Sequence, residues 1–156
     1  MDIRFRTWAH SDLPILMAWR SNPLIYSGFY SQNHPLEWKG HLKYHTTRNS
    51  DWRTFIIEVT EDDFTRPVGV LNIGQLDNWK PELGILIGET TLWGRGIGMV
   101  ALRYAIDWVK SRQNSYQVIG ATILDNNKRS IRLFTSMGFV RICKAREGES
   151  EYEYRL

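Results

Sequence analysis

The chain has 156 residues, a formal net charge of +3 and 42% hydrophobic residues, which predicts one globular domain over 1–156 with a sizeable core. The charge is mildly basic without a dense Lys/Arg stripe, so we expect no nucleic acid as a partner. No apolar run approaches the roughly 18 residues that span a bilayer, so we expect no membrane association. The weak positive charge suits a small anionic ligand.

The first residues, MDIRFRTWAHSDL, lack the apolar segment of a secretory signal. The single cysteine, Cys143, excludes an internal disulfide, as is usual in a reducing compartment. We therefore expect a cytoplasmic location. Cys143 lies in an apolar strand pattern, which predicts a core position rather than a nucleophile.

The N-terminal third predicts one strand and two helices. IRFRTW alternates in character like a short strand. SDLPILMAWRSN predicts a helix with Ser11 or Asp12 as its N-cap, ending near Asn22 because a proline follows. HPLEWKGHLKYHT predicts a second helix with Pro35 near its first turn. The partly buried side of that second helix would be formed by Leu36, Trp38, Leu42 and Tyr44.

The remainder predicts a strand-rich middle followed by alternating helices and strands. Three runs are rich in β-branched and aromatic residues, as is typical of strands: RTFIIEVTED, RPVGVLNIGQL and PELGILIG. After a glycine loop and a helix, QVIGATIL predicts a buried strand, and KRSIRLFTSMG predicts a short helix that ends at Gly138. FVRICKA and EYEYRL predict a closing antiparallel pair. This order predicts a mixed α/β sheet with helices on both faces.

The loop WGRGIGM places Gly94, Gly96 and Gly98 at alternate positions before a helix that begins near Ile97. The first amides of a helix lack partners within it and carry partial positive charge, and glycine lets an anion approach the backbone closely. Such a loop can bind a pyrophosphate, although GRGIGM matches neither P-loop nor dinucleotide-binding spacing. A glycine-rich turn without a ligand is the alternative.

The run WGRGIG, after PELGILIG and before NNKRSIRLFTSMGF, resembles the GNAT superfamily of acetyl-CoA-dependent N-acetyltransferases. The family signature is Arg or Gln, two residues, Gly, one residue, then Gly or Ala. Gly96 and Gly98 fill the two small positions, and Trp93 replaces the Arg or Gln, which is similar to the ribosomal-protein N-terminal acetyltransferase branch. The resemblance implies a mixed, mostly antiparallel, splayed central sheet of about six to seven strands with helices on both faces.

The resemblance implies acetyl-CoA as the co-substrate and no metal. The coenzyme A pyrophosphate would lie on the loop, with an extra phosphate contact from its arginine, through Trp93, Gly94, Arg95, Gly96, Ile97, Gly98 and Met99. The backbone of Ile85, Leu86 and Ile87 would pair with the pantetheine arm, which Asn127 would also contact. The basic cluster of Lys128, Arg129 and Arg132 would either meet the 3′-phosphate or be a solvated helix face.

The resemblance places a general base at Glu82. An alkylammonium is mostly protonated at pH 7, so its proton must be removed before the amine attacks the thioester. The alternative for Glu82 is a solvent-facing carboxylate at a strand end. Phe134 occupies the coenzyme-side position of the family's tyrosine acid and has no proton to give. Ser130, in NKRS, is the candidate acid or relay, or a first-turn residue that satisfies a backbone amide.

The first helices and nearby loops would bind the amine acceptor. They carry Arg20, Asn22 and His34 beside a group of aromatic residues: Trp19, Tyr26, Phe29, Tyr30, Trp38, Trp52 and Trp79. Aromatic walls suit sugars and nucleobases, although these rings could instead belong to the core. AWRSNPLI is similar to the amino-sugar-nucleotide N-acetyltransferases of the pseudaminic acid pathway, which favours a nucleotide-linked amino sugar as the small-molecule acceptor.

Two other functions stay open: a protein N-terminal acetyltransferase, and a non-catalytic acyl-CoA sensor, because Phe134 removes the usual acid. The chain would act as a monomer or homodimer. Glu37, His41 and His45 follow one another at four-residue spacing on the second helix. We favour a solvated or substrate-facing helix side over a metal site for these three residues.

Overall fold

The computed structural model describes residues 1–29, 32–47, 51–112 and 116–156. The strands in these ranges are β1 (Asp2–Thr7), β2 (Arg53–Glu61), β3 (Phe64–Gly74), β4 (Glu82–Ile87), β5 (Val118–Leu124), β6 (Val140–Arg146) and β7 (Glu149–Arg155). The helices are α1 (Leu13–Arg20), α2 (Pro23–Tyr26), α3 (Trp38–Thr46), α4 (Ile97–Lys110) and α5 (Lys128–Ser136). Among these helices none has the length and apolarity to cross a membrane.

The strands form one mixed sheet in the order β1-β2-β3-β4-β5-β7-β6. Every neighbouring pair is antiparallel except β4 and β5, which run parallel and share a single register pair, Glu82 with Gly120. The Gly120 amide donates to the carbonyl oxygen of Pro81 at 2.8 Å. The β4–β5 ladder ends there and the two strands diverge, so the predicted splayed, mostly antiparallel sheet is confirmed.

Lys80 fastens the closed end of this splay. An added Cβ at Gly120 would lie 3.2 Å from the Lys80 side chain, so the lysine stem packs directly over the glycine. Lys80 Nζ then donates to Glu153 at 2.9 Å and to Glu151 at 3.4 Å, both on β7. Burial lowers the pKa of Lys80, but the two carboxylates outweigh it and the pKa is raised above its usual value. Lys80 therefore stays a cation that ties the start of β4 to β7 across β5.

The two faces of the sheet carry separate apolar clusters. On one face α4 packs against β2 to β5 through its buried residues, which recur at helical spacing: Ile97, Ala101, Leu102, Ala105, Ile106 and Val109. On the other face Leu16, Trp19 and Ile25 of α1 and α2 cover the sheet at Ile56, Val70 and Leu86. Each fully buried aliphatic side chain contributes about 1.5–3 kcal/mol. The predicted helices on both faces are confirmed.

Helix α3 docks on α1 through a histidine rather than through the predicted apolar side. His41 is 2% exposed, whereas Trp38, Leu42 and Tyr44 are exposed. The Nε2–H group of His41 donates to the Leu13 carbonyl oxygen at 2.9 Å. Burial lowers the pKa of His41 below its usual value, so the imidazole is neutral at pH 7. The predicted solvated or substrate-facing position is therefore wrong for His41, because its side chain is buried against α1 and holds α3 there.

Strand β6 corrects a second expectation. Cys143 was expected in the core, but it is exposed, as is each residue of β6. The reason is position: β6 is the outermost strand of the sheet, beyond β7. An apolar strand pattern does not distinguish an edge strand from a central one.

Asp12 stands at the predicted N-cap position of α1, but its side chain accepts no hydrogen bond from the helix. Its carboxylate accepts from the Ala9 amide at 2.8 Å and from both terminal nitrogens of Arg6 at 2.8 Å. Arg6 also donates to Glu58 of β2 at 2.6 Å. These contacts close the turn between β1 and α1. The Arg6 hydrogen bonds hold the pKa of Asp12 below its usual value.

We expect Asp12→Asn to lower the free energy of unfolding at pH 7 by about 1–3 kcal/mol, because it removes a carboxylate that accepts charged hydrogen bonds. The folded-state pKa is the lower one, so this stabilisation is complete above the unfolded pKa of 3.8 and is lost as pH falls through the folded pKa. Urea unfolding from pH 7 to 3 measures the difference between variant and wild type.

The matched control is Asp2→Asn, which removes an exposed ion pair with Arg4 and should cost less than about 0.5 kcal/mol. An Asp12→Asn variant no less stable than Asp2→Asn at pH 7 would contradict the assigned role.

Candidate functional site

The divergence of β4 from β5 opens a cleft of about 720 Å³. Its lining comes from the two diverging strands β4 and β5, the loop after β4, the start of α5 and the segment from α1 to α3, together with Trp52, Asn72 and Gln75. The site is therefore built where the sheet ladder is interrupted.

The glycine loop borders this cleft, which Trp93 and Gly98 line, and it leaves several backbone amides unpaired. Gly94 (φ 79°) and Gly96 (φ 85°) have left-handed conformations, which other residues adopt at a cost of about 1–2 kcal/mol. Among the described residues, the amides of Gly94, Gly96, Ile97 and Gly98 have no hydrogen-bond acceptor. Gly96 is the N-cap of α4 and provides no side-chain cap. The loop thus presents free donors at the positive end of a helix.

Gly98 has a different requirement. An added Cβ there would lie 2.9 Å from Cδ2 of Leu133 on α5, so this glycine lets α4 and α5 approach closely. The neighbouring Ile97 side chain is 1% exposed in the core and that of Met99 is 44% exposed. Of the predicted loop residues, Trp93 and Gly98 line the cleft and the others do not.

Trp93 joins the two sides of the cleft. Its indole Nε1–H donates to the Ile87 carbonyl oxygen at 2.9 Å, and the Arg129 guanidinium carbon lies 3.5 Å from its ring centroid. The indole thus links the end of β4 to the first turn of α5. No local sequence pattern predicts this contact, because it depends on how closely the two elements approach.

Arg95, the predicted extra phosphate contact, is bound to Glu61 at 3.0 Å and is half exposed. Glu61 also accepts a hydrogen bond from Arg66. The hydrogen bond from Arg66, and to a smaller extent that from Arg95, lowers the pKa of Glu61 below its usual value. Arg66 in turn pairs with Glu89, which precedes the loop. A surface ion network therefore holds Arg95, and its contact with phosphate stays a prediction.

The predicted pantetheine residues line the cleft together. Ile85, Leu86 and Ile87 form its wall on β4, and Asn127 faces them from the start of α5. The Asn127 side chain accepts from the Ser130 amide at 3.2 Å and donates to the Gly28 carbonyl oxygen at 3.4 Å. The asparagine thus caps α5 and also holds the segment after α2 against the cleft.

The candidate proton-transfer residues also line the cleft. Glu82 Oε2 accepts from Gln75 Nε2 at 2.7 Å, and no cation pairs with this carboxylate within the described ranges. It is therefore oriented by a neutral amide. Ser130 lines the cleft near Asn127, and Phe134 is 4% exposed beside Phe139. The structure brings Glu82, Ser130 and Phe134 into one cleft; their roles stay predictions.

The predicted aromatic wall is only partly present. Phe29 and Trp52 line the cleft, as does Tyr44, which was not predicted there. Trp19 is buried under Gly88, which would place a Cβ 2.1 Å from the indole, and Trp38 and Trp79 are exposed. Tyr26 lies outside the lining, and Tyr30 lies outside the described residues.

Of the three polar residues predicted for acceptor binding, one lines the cleft and two do not. Arg20 lines the cleft. Asn22 instead caps α2 by accepting from the Leu24 amide, and His34 contacts Asn33. Lys128, Arg129 and Arg132 all line the cleft at the start of α5. The described part of the chain contains no group of three or more His, Cys, Asp or Glu arranged to hold a metal ion.

Comparison with known proteins identifies the class. The family model for the acetyltransferase (GNAT) domain matches residues 2–140, most of the chain, and the sheet has the predicted splay. The chain belongs to the GNAT acetyltransferase family. The predicted superfamily is therefore confirmed.

Individual relatives extend this comparison. The chain is 45% identical over 156 residues to protein MJ1062 of Methanocaldococcus jannaschii, covering 99% of this chain and 31% of that protein; it thus spans about a third of that relative. It is 44% identical to the crystal structure of a domain from M. jannaschii DSM 2661, with a TM-score of 0.94 and 99% of both chains covered. Spermidine N-acetyltransferase from Vibrio cholerae, solved with CoA and spermine, has a TM-score of 0.82 at 17% identity, covering 98% of this chain and 95% of that one, which shows a shared fold.

We expect Gly98→Val to destabilise the fold by about 1–3 kcal/mol, because the new side chain overlaps Leu133. In a Leu133→Ala background the same change should cost clearly less, giving a coupling energy of about 0.5–3 kcal/mol. Urea unfolding of the four variants of this cycle measures the coupling. Gly40→Val on α3 is the control, because an added Cβ there has no atom within 4 Å. Equal costs of Gly98→Val in both backgrounds would contradict the packing assignment.

Proposed function

We propose that this domain transfers the acetyl group of acetyl-CoA to a primary amine by direct attack in a ternary complex. The observation that carries the proposal is the splay between β4 and β5, whose cleft is lined by Glu82 and bordered by the loop with its unpaired amides. The negatively charged coenzyme would bind at the loop amides, and the ammonium group of the acceptor would bind at Glu82.

The coenzyme side of the proposal uses mainly backbone groups. The pyrophosphate would accept hydrogen bonds from the amides between Trp93 and Met99, where the α4 dipole adds positive charge. The pantetheine arm would lie along Ile85–Ile87, in the space that the interrupted ladder leaves. Lys128, Arg129 and Arg132 add cations to the same side of the cleft.

The chemical step needs one proton to move. Glu82, directly or through a water molecule, would take a proton from the ammonium group of the acceptor. The neutral nitrogen then attacks the thioester carbonyl carbon, the carbon–sulfur bond breaks, and the coenzyme leaves as its thiolate. Phe134 has no hydroxyl, so Ser130 is the candidate to hydrogen-bond or protonate the sulfur. An oriented base contributes about 10²–10⁴ to such a rate.

We further propose a nucleotide-linked amino sugar as the acceptor. The support is the set of rings that line the cleft beside Glu82, namely Phe29, Tyr44 and Trp52, because sugars and nucleobases stack on such rings. A protein N-terminal amine is the second candidate, supported by the similarity of the WGRG run to that branch. A non-catalytic acyl-CoA sensor would bind the coenzyme without releasing it.

Turnover separates these possibilities. With acetyl-CoA and a panel of nucleotide-linked amino sugars, peptides with free N-termini, spermidine and an aminoglycoside, we expect acetylated product from the sugar nucleotides. Acetylated product should be followed by mass spectrometry. If released coenzyme A is measured with a thiol reagent instead, the assay should use a Cys143→Ser variant, because the exposed Cys143 thiol would also react. Coenzyme binding without product from any amine would favour the sensor.

We expect Glu82→Gln to lower kcat roughly a hundredfold or more at pH 7 if Glu82 is the base. The loss should be largest at low pH, where least of the amine is already neutral, and smallest at high pH. The pH profile of kcat measures this. Glu147→Gln, in the exposed turn between β6 and β7, is the matched control. A loss that is equal at every pH would argue against proton transfer by Glu82.

The loop assignment has a closely matched control. Gly96 and Gly148 both have left-handed backbones, with φ of 85° and 78°, and an added Cβ at either has no atom within 4 Å. Valine at each position should therefore strain the backbone similarly. Only Gly96→Val should weaken coenzyme A binding. We expect the affinity to fall tenfold or more, which is the effect of losing one hydrogen bond to a charged group. Calorimetry measures the affinities. Equal affinities of the two variants would remove the loop from the coenzyme site.

A further inference from the structure

Arg20 is the last residue of α1 and is fixed in the acceptor part of the cleft by a buried side chain. Gln32 is 8% exposed. Its Oε1 accepts from Arg20 Nε at 3.2 Å, and its Nε2 donates to the carbonyl oxygens of Arg20 and His34. One amide therefore holds both the backbone and the guanidinium of Arg20. Long cationic side chains lose much entropy when they are fixed, so this orientation needs a reason.

The Arg20 guanidinium lies over two aromatic rings. Its central carbon is 5.2 Å from the Phe29 ring centroid and 5.8 Å from that of Tyr44, and all three residues line the cleft. These cation–π contacts and the Nε hydrogen bond leave the two terminal nitrogens without a described carboxylate partner. Those nitrogens form the part of guanidinium that binds phosphate or carboxylate oxygens in pairs.

No acidic side chain in the described part of the chain neutralises Arg20. Throughout the described ranges no Asp or Glu pairs with it, and the residues outside those ranges include neither Asp nor Glu. Two other half-buried arginines differ: Arg6 pairs with Asp12 and Glu58, and Arg66 pairs with Glu61 and Glu89. A partly desolvated guanidinium normally has an anionic partner. At Arg20 the cleft is where such a partner would bind.

The charges of the cleft suggest what that partner is. Glu82 is its one described carboxylate, and Arg20 comes from the opposite side, on the helices that cover the sheet. The remaining cations of the lining, Lys128, Arg129 and Arg132, belong to α5 and the coenzyme side. An acceptor with one ammonium group and one anionic group would satisfy both Glu82 and Arg20, whereas a polyamine would place a second cation beside the guanidinium.

We infer that Arg20 is a specificity-determining residue that binds an anionic group, a phosphate or carboxylate, carried by the amine acceptor. This inference rests on the proposed acetyltransferase function and narrows its acceptor class to amines that also carry negative charge. Diamines and polyamines are excluded as good acceptors by repulsion from Arg20. The competing explanation is structural: an arginine in the last turn of a helix is favoured by the helix dipole, and this explanation requires no effect on acceptor choice.

Matched amino sugars test the inference. The probes are glucosamine, glucosamine 6-phosphate, its 1-phosphate, the corresponding 2-amino uronic acid, a nucleoside-diphosphate-linked glucosamine, and spermidine. The wild type should show kcat/KM at least tenfold higher for one of the charged sugars than for glucosamine, and little activity with spermidine. Which charged sugar is best distinguishes phosphate, diphosphate and carboxylate as the source of the anion.

Variants at Arg20 then assign the preference. Arg20→Met should reduce kcat/KM for the preferred anionic sugar by roughly 10- to 100-fold, mainly through KM, and leave glucosamine within about twofold. Arg20→Lys should keep part of the preference, and Arg20→Glu should shift it toward spermidine. Arg103→Met, which removes an exposed cation of α4, should change none of these ratios. Melting temperature and coenzyme A affinity show whether each variant is folded; if Arg20→Met is not, Arg20→Lys and Arg20→Glu decide.

The outcomes separate this inference from the function on which it rests. Equal kcat/KM for glucosamine and every charged sugar, or a preference that survives in Arg20→Met, overturns the inference and leaves the acetyltransferase proposal standing. If the wild type acetylates no amine, calorimetry with the same sugars in the presence of coenzyme A decides. Binding that Arg20→Met loses supports the inference although the proposed reaction fails. Binding that is absent, or unchanged in the variant, overturns it.

Discussion

The site depends on one short contact, the single parallel pair between β4 and β5. The Gly120 amide reaches the Pro81 carbonyl oxygen, the Lys80 stem lies over Gly120, and Glu151 and Glu153 hold the lysine from β7. These contacts close one end of the splay, and the two strands diverge beyond it. Backbone groups inside a protein are normally all paired. An interrupted ladder therefore provides hydrogen-bonding groups for an extended ligand without a special side chain.

The same interruption distributes charge along the cleft. The loop amides and the cations of α5 make one side positive, Glu82 supplies the described carboxylate, and Arg20 adds a cation from the helices on the other side. The Asn127 side chain spans these parts, because it caps α5 and also donates to Gly28. The proposed coenzyme and acceptor regions are thus adjacent sides of one cleft, and hydrogen bonds of Asn127 hold them together.

The elements that were predictable from the sequence are those with local signals. Helical spacing from Ile97 to Val109, β-branched runs, and glycine at turns such as Gly138, whose φ is 98°, determined the main elements, and the family motif indicated the splay. The short helix α2 was not predicted, because four residues give too little periodicity to detect.

Long-range contacts account for what the sequence could not indicate. His41 lies on the buried side of α3 because of a carbonyl oxygen 28 residues away, and Cys143 is exposed because β6 is the outermost strand. At the site, the motif predicted residues on β4 and α5 that line one cleft, whereas of the loop residues only Trp93 and Gly98 line it; their roles in coenzyme binding stay predictions. The partners of Arg20, Trp93 and Asn127 were not predictable, because each depends on the distance between separate elements.

The outer edge of the sheet has a consequence for association between copies. Strand β6 presents Arg141, Lys144 and Arg146 among its exposed residues, beside the apolar side chains of Val140 and Ile142. An unpaired edge with apolar side chains is a template for adding further strands, and basic residues are a common defence against it. A second copy pairing there would bring like charges together across the new ladder, which is unfavourable. The cations of β6 therefore oppose open-ended growth of the sheet.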